Sequence, residues 1–192
     1  MSVLQGKFLL AAPGMTDPNF RETVVLLVEH GDSGAMGLIL NRPTDAMLQE
    51  AVSPAAADAC LSLSTELVEA VVHHGGPCPG PLMLVHDDGG AAQCEVLPGL
   101  YFSAEEHFVQ PLIDGSRTAA SVRCFAGYAG WAPGQLEQEL LLGGWIVADA
   151  DAASVLATDS EHAWYQLISD VRRSRLLADV PVALRPTDPK LN

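Results

Sequence analysis

Histidines and cysteines are the residues best equipped for chemistry in this 192-residue chain, which holds 6 His and 4 Cys. Imidazole changes charge near neutral pH, so His30, His74 and His86 are candidate acids or bases. Such a histidine needs a carboxylate or hydroxyl in the same cleft, and Asp17, Glu29 and Ser33 are the candidates. Glu29 and His30 are neighbours, but neighbours on a strand point to opposite faces. They form a direct dyad only if His30 has already left the strand.

Gly31-Asp32-Ser33-Gly34 contains the Gly-Asp-Ser found at the nucleophile of several serine hydrolases, and Asp159-Ser160-Glu161-His162 supplies a late Asp-x-x-His. In those enzymes the serine opens a helix. Here an apolar strand follows at once, and no Gly-x-Asn-Asp furnishes an oxyanion hole. A hairpin tip built of turn-forming residues is the better reading. His73, His74, Cys78, His86 and Cys94 suggest metal, but zinc ligands come in pairs at short fixed gaps and nothing answers His74 to Cys78 at matching spacing. We therefore expect no metal and no cofactor. Cys60, Cys78, Cys94 and Cys124 form no CxxC and read as reduced thiols.

The segment Gly127-Tyr128-Ala129-Gly130-Trp131 through Gly134 to Glu137 is the most informative. It reads as a glycine-rich loop between a strand and a helix. That arrangement gathers free N–H groups at a positive helix end. The spacing matches neither GxGxxG nor GxxxxGK[ST], and Glu137 and Glu139 already place negative charge in the first turns. Close packing permitted by the glycines, with Tyr128 and Trp131 filling space, explains the same residues.

These residues need a scaffold. Gly6–Ala12 reads as a strand, and Thr23–His30 (TVVLLVEH) as a central strand buried on both faces. Ala35–Asn41 completes a hairpin with it. Thr44 or Asp45 is expected to cap a short helix through Val52. Ser53–Glu66 has no clear period. Leu67–His74, Pro81–His86, Cys94–Leu97 and Leu100–Phe102 read as short strands, and Ser103 as the cap of a helix through Ile113, with Glu106 completing a capping box. Thr118–Phe125 is a strand, and Pro133–Leu142 a helix closed by Gly143-Gly144. Trp145–Ala148 is a strand and Asp151 starts a short helix. Ser160 caps a longer helix with the stripe Trp164, Leu167, Ile168 and Val171. Arg172, Arg173 and Arg175 suit the dipole at its end.

The expected fold class is α+β: a mixed β-sheet with packed helices in a single domain over 1–192. A small second α/β subdomain within about 44–115 is allowed for, and the Pro-rich tail 181–192 is read as extended. Asp plus Glu total 24 against 10 Lys plus Arg, a net charge of −14. That balance disfavours direct nucleic-acid binding, which needs clustered cations. Hydrophobic residues reach 48%, too many for a disordered chain. The apolar run Phe8–Ala12 is too short for a signal segment, and no run approaches a spanning helix. A cytoplasmic protein without a membrane role is expected.

Leu9–Phe20 (LLAAPGMTDPNF), Val24-Val25 through Glu29-His30, and Gly34–Leu38 through Asn41-Arg42-Pro43 together resemble the YqgE/AlgH family of bacterial proteins. So do His74–Pro77, Leu84–His86, Gly127–Trp131 with Gly134–Glu137, and Gly144-Trp145. The order and spacing of the blocks make the match specific. The resemblance implies a compact mixed α/β domain. It implies no activity: the family is largely uncharacterised, some members are labelled transcriptional regulators of exopolysaccharide synthesis, and no catalytic residues carry over.

The reading is a binding or regulatory module with an unknown protein or small-molecule partner. Its candidate binding residues are Asp17, Asn19, Phe20, His30, Asn41, His74, Gly75, Gly76, His86, Gly127, Tyr128, Gly130 and Trp131. They lie in segments expected to meet at one rim of the sheet. The alternatives are an enzyme using His30, His74 or His86 as acid or base, and an indirect transcriptional regulator.

Overall fold

The computed structural model describes residues 4–48, 70–105, 107, 120–157 and 162–178. Strand β2 (Val24–Gly31) is its spine, and Val24 to Val28 are fully buried. An apolar strand with no polar face must be covered on both sides. It pairs antiparallel with β1 (Lys7–Ala11) and, through the Asp32-Ser33 turn, with β3 (Gly34–Ile39).

The remaining strands are β4 (Pro43–Met47), β5 (Val71–His74), β6 (Cys78–His86), β7 (Cys94–Leu97), β8 (Leu100–Ser103), β9 (Val122–Trp131) and β10 (Trp145–Asp149). The main order is β10-β1-β2-β3-β9-β6-β8-β7. Strand β5 pairs with β4 and runs parallel to β9, which makes the sheet mixed. The described strands of residues 43–103 therefore join the same sheet as β1–β3 through β9. The sheet curls: Gln5 Nε2–H donates to the Glu95 carbonyl at 2.9 Å, so β7 returns to the turn ahead of β1.

The helices α1 (Gln135–Leu141), α2 (Ala152–Leu156) and α3 (Ala163–Ala178) cover the two faces. Phe8, Leu10, Leu26, Leu38 and Phe125 pack with Val155 of α2 and with Trp164 and Ile168 of α3. The expected stripe on α3 is the face it buries, and the Trp164 indole N–H donates to the Ala11 carbonyl at 2.8 Å. Leu9, Val25, Leu27, Ile39 and Trp131 pack on the other face with Leu136 of α1. Each fully buried aliphatic side chain contributes roughly 1.5–3 kcal/mol. The architecture is a mixed α+β fold.

Two local expectations are corrected. Gly127–Trp131 is not a loop but the second half of β9: Tyr128 pairs with Cys78, and Ala129 to Trp131 pair with β3. Pairing on both edges overrides the weak strand propensity of glycine. The glycines are needed where backbones meet. A Cβ on Gly75 would strike the Gly127 carbonyl, and one on Gly76, at φ 154°, would strike the Tyr128 backbone. Helix α1 accordingly starts at Gln135, two residues after Pro133.

Thr44 and Asp45 do not cap a helix; they lie in β4, and the Thr44 hydroxyl donates to the Val72 carbonyl at 2.7 Å. Ser103 ends β8 with its hydroxyl 2.9 Å from His86 Nε2. The stretch 53–66, the helix expected after Ser103, the Ser160 cap and the tail 181–192 fall outside the described residues, apart from a few positions near Ser103.

Candidate functional site

A recess of about 370 Å³ opens at the β2–β3 hairpin tip, lined by Gln5, Glu29, His30, Ser33, Met36 and Trp131 together with Gly31, Gly34 and Ala35. Its shape begins with a β-bulge. The β2–β3 register shifts between Leu27 and Glu29, leaving Val28 as the extra residue. Val28 packs in the core beneath α2 and α3, and Glu29 acts electrostatically on Cys94, which borders that same core. The bulge thus puts two successive residues toward one face and delivers His30 to the other, beside α1. Gly34, at φ 120°, closes the turn against the Trp131 carbonyl, where a Cβ would not fit.

His30 Nε2 lies 3.0 Å from Glu137 Oε1, and its side chain is almost wholly buried. Nδ1 accepts the Leu4 backbone N–H at 3.2 Å. An amide can only donate, so the neutral ring carries its proton on Nε2 and gives it to Glu137. Glu29 and His30 form no dyad; the carboxylate that serves His30 comes from α1.

Behind the recess, Glu139 Oε2 accepts both the Trp131 and the Trp145 indole N–H, at 2.9 and 2.7 Å. Phe20 stacks on Trp131 at 6.2 Å and meets Trp145 edge-on at 5.4 Å. The Asp17–Phe20 turn is locked by Asp17 Oδ1, which accepts the Asn19 N–H at 2.8 Å. Asp17 and Asn19 themselves are exposed.

The other candidate residues are placed elsewhere. Tyr128 borders the core beneath α2 and α3, whereas Trp131 belongs to the core beneath α1. The Pro13–Phe20 segment reaches the Trp131 face of β9 through Phe20, whereas the His74–Pro77 turn meets the β9 backbone along its edge, so the expected single rim is divided. Gly75, Gly76 and Gly127 form a backbone joint, and Gly130 is exposed beside the Tyr128 ring. The His74 side chain is exposed while its backbone N–H donates to the Arg42 carbonyl. Asn41 accepts the Val24 N–H and donates to the Glu22 carbonyl, both at 2.8 Å. It holds Glu22, whose φ of 58° is costly for a residue with a Cβ. His86 is fully buried, with Nε2 toward Ser103 and Nδ1 accepting the Asp88 N–H at 3.3 Å.

Sequence reasoning missed Arg123. Its guanidinium is buried and donates to the Val155 carbonyl at 2.9 Å, the Leu40 carbonyl at 2.7 Å and His73 Nε2 at 2.8 Å. Among the described residues no carboxylate pairs with it. Burial lowers Arg123 to about 10. Burial, then the Arg123 charge, lowers His73 to about 4. Burial raises Cys124 to about 12, so this thiol is a packing group and not a nucleophile. An arginine inside the apolar strand SVRCF was the available signal. A second groove, of about 480 Å³, lies between β10 and α3, where Val147 and Ala148 face Leu167 and Val171. No helix of the described chain is long and apolar enough to cross a membrane.

A curled mixed sheet, helices on both faces and a hairpin-tip recess backed by a glutamate–indole clamp define the class of domain. The AlgH-like family model matches residues 8–174, and the chain belongs to that family. It is 36% identical to the UPF0301 protein CT0663 of Chlorobaculum tepidum over 163 residues, covering 83% of this chain and 82% of the relative. A UPF0301 protein of Streptomyces avermitilis is 34% identical, covering 100% of this chain and 97% of the relative. The solution structure of the AlgH protein from Pseudomonas aeruginosa is similar with a TM-score of 0.69 at 30% identity, over 94% of this chain and 95% of that one.

Proposed function

We propose that the protein is a cytoplasmic binding or regulatory module whose ligand or partner enters the recess at the β2–β3 tip. The carrying observation is that this recess holds exposed polar groups while the imidazole within it is fully engaged. His30 spends one ring nitrogen on a backbone amide and the other on Glu137. A general base needs a free lone pair aimed at its proton, so His30 is a wall of the site and not its reagent. With a net charge of −14, any regulatory role acts through another molecule and not by direct DNA contact.

The second reading, acid–base catalysis by His30, draws on one observation: Ser33 and Glu29 line the same recess. It requires His30 to leave Glu137 or Leu4 when substrate binds. Native mass spectrometry of the protein purified from its own host tests the binding reading. A retained molecule or partner that is lost when Ser33→Tyr fills the recess is the expected result. Retention unchanged by that substitution places binding elsewhere.

A further inference from the structure

The hydrogen-bonding groups lining the recess can be counted, and donors and acceptors do not balance. His30 Nε2–H goes to Glu137 and Trp131 Nε1–H goes to Glu139. Gln5 Nε2–H goes to the Glu95 carbonyl. The remaining lining side chains with polar atoms are Glu29 and Ser33. The open side-chain valences are therefore the Glu29 carboxylate, the Gln5 carbonyl oxygen, the second Gln5 Nε2–H and the Ser33 hydroxyl. Only the hydroxyl and that one amide N–H can donate, both are neutral, and no lysine or arginine is among the described residues of the lining. Met36 and the Trp131 indole supply a polarizable wall beside these acceptors.

A ligand here must bring its own donors and gains by bringing positive charge. From this we infer that the recess selects a small organic cation, an amine or guanidinium compound, over anions and neutral polar molecules. The net charge of −14 reinforces the choice by raising the local concentration of cations. A phosphate or carboxylate would meet the Glu29 charge with only two neutral side-chain donors, the Ser33 hydroxyl and one Gln5 amide N–H. The inference rests on the recess being the binding site, and it names the chemistry that site takes.

The test is an NMR titration of the uniformly 15N-labelled full chain with three probes at matched ionic strength: 1,4-diaminobutane, inorganic phosphate and 1,4-butanediol. The expected result is saturable shifts at the Ser33 and Gly34 amides and the Trp131 indole N–H with the diamine only. Glu29→Gln, at an exposed position, should weaken that binding at least about tenfold, because a charge-assisted hydrogen bond is lost. Shifts at the same signals with phosphate, or equal shifts with butanediol, overturn the cation selectivity and leave the recess as the site. Shifts scattered over the surface and unchanged by Glu29→Gln overturn it as non-specific counter-ion binding. Silence at these signals with every probe overturns it too. The host-purified protein then decides separately whether anything enters the recess.

Discussion

Glu137 Oε1 lies 3.0 Å from His30 Nε2, joining the first turn of α1 to the end of a strand 107 residues earlier. The contact fixes the His30 ring within the wall of the hairpin-tip recess. Glu137→Ala should cost about 1.5–3 kcal/mol, the range for a hydrogen bond to a charged group. Urea unfolding measures the cost. Imidazole 15N shifts of the wild-type protein should report Nε2 protonated and Nδ1 bare. The reversed tautomer would refute the assignment.

Glu139 carries the heavier load, because one oxygen accepts two indole N–H groups. Glu139→Ala strands both donors in the half-buried layer beneath Phe20 and should destabilise by about 2–4 kcal/mol. Tryptophan emission should shift to the red as Trp131 and Trp145 take up water instead. Unchanged emission would mean that the clamp does not hold them.

Arg123 ties β5, the end of β3 and α2 together through three acceptors. Arg123→Met leaves two buried carbonyls without their donor and should cost about 3–5 kcal/mol. Arg123→Lys should not restore the loss, since one ammonium cannot span the planar fork. A lysine variant with wild-type stability would show that charge alone suffices there.

His73 supplies a pH dependence with a definite sign. Burial, then the Arg123 charge, holds it at about 4 in the folded protein, against 6.5 ordinarily. Between those values the unfolded chain binds a proton that the folded one does not. Stability from this group is complete at neutral pH, falls as pH drops from about 6.5 to about 4, and changes no further below. His73→Gln keeps an acceptor for Arg123 and should flatten the slope in that window. Parallel urea midpoints for both proteins from pH 4 to pH 7 would contradict this.

Gly76→Ala should be among the most damaging small changes. The residue sits at φ 154° with its missing Cβ directed at the Tyr128 backbone. Strand β9 cannot yield there without losing its pairing, so the loss should exceed about 3 kcal/mol. Soluble yield and thermal midpoint provide the readout, and near-native values would mean that the joint can open.

Much of this molecule was legible from local pattern. The run Val24–Val28 is apolar at every position, and only a strand covered on both faces accommodates that. The Gly31–Gly34 turn, the start of α2 at Asp151 and the α3 stripe each follow from residues within a few positions of one another. The ordered blocks from Leu9 to Trp145 pointed to the family.

Tertiary structure decided the rest, because the partners are remote. Gly127–Trp131 is a strand because β3 and β6 supply hydrogen bonds along its edges, though its own glycines favour a loop. Thr44 lies in a strand because Val72 and β5 hold it there. His30 meets Glu137, not Glu29, because a bulge shifts the alternation of β2 and α1 lands beside it. Periodicity describes which face a residue prefers; only the folded sheet determines what stands opposite.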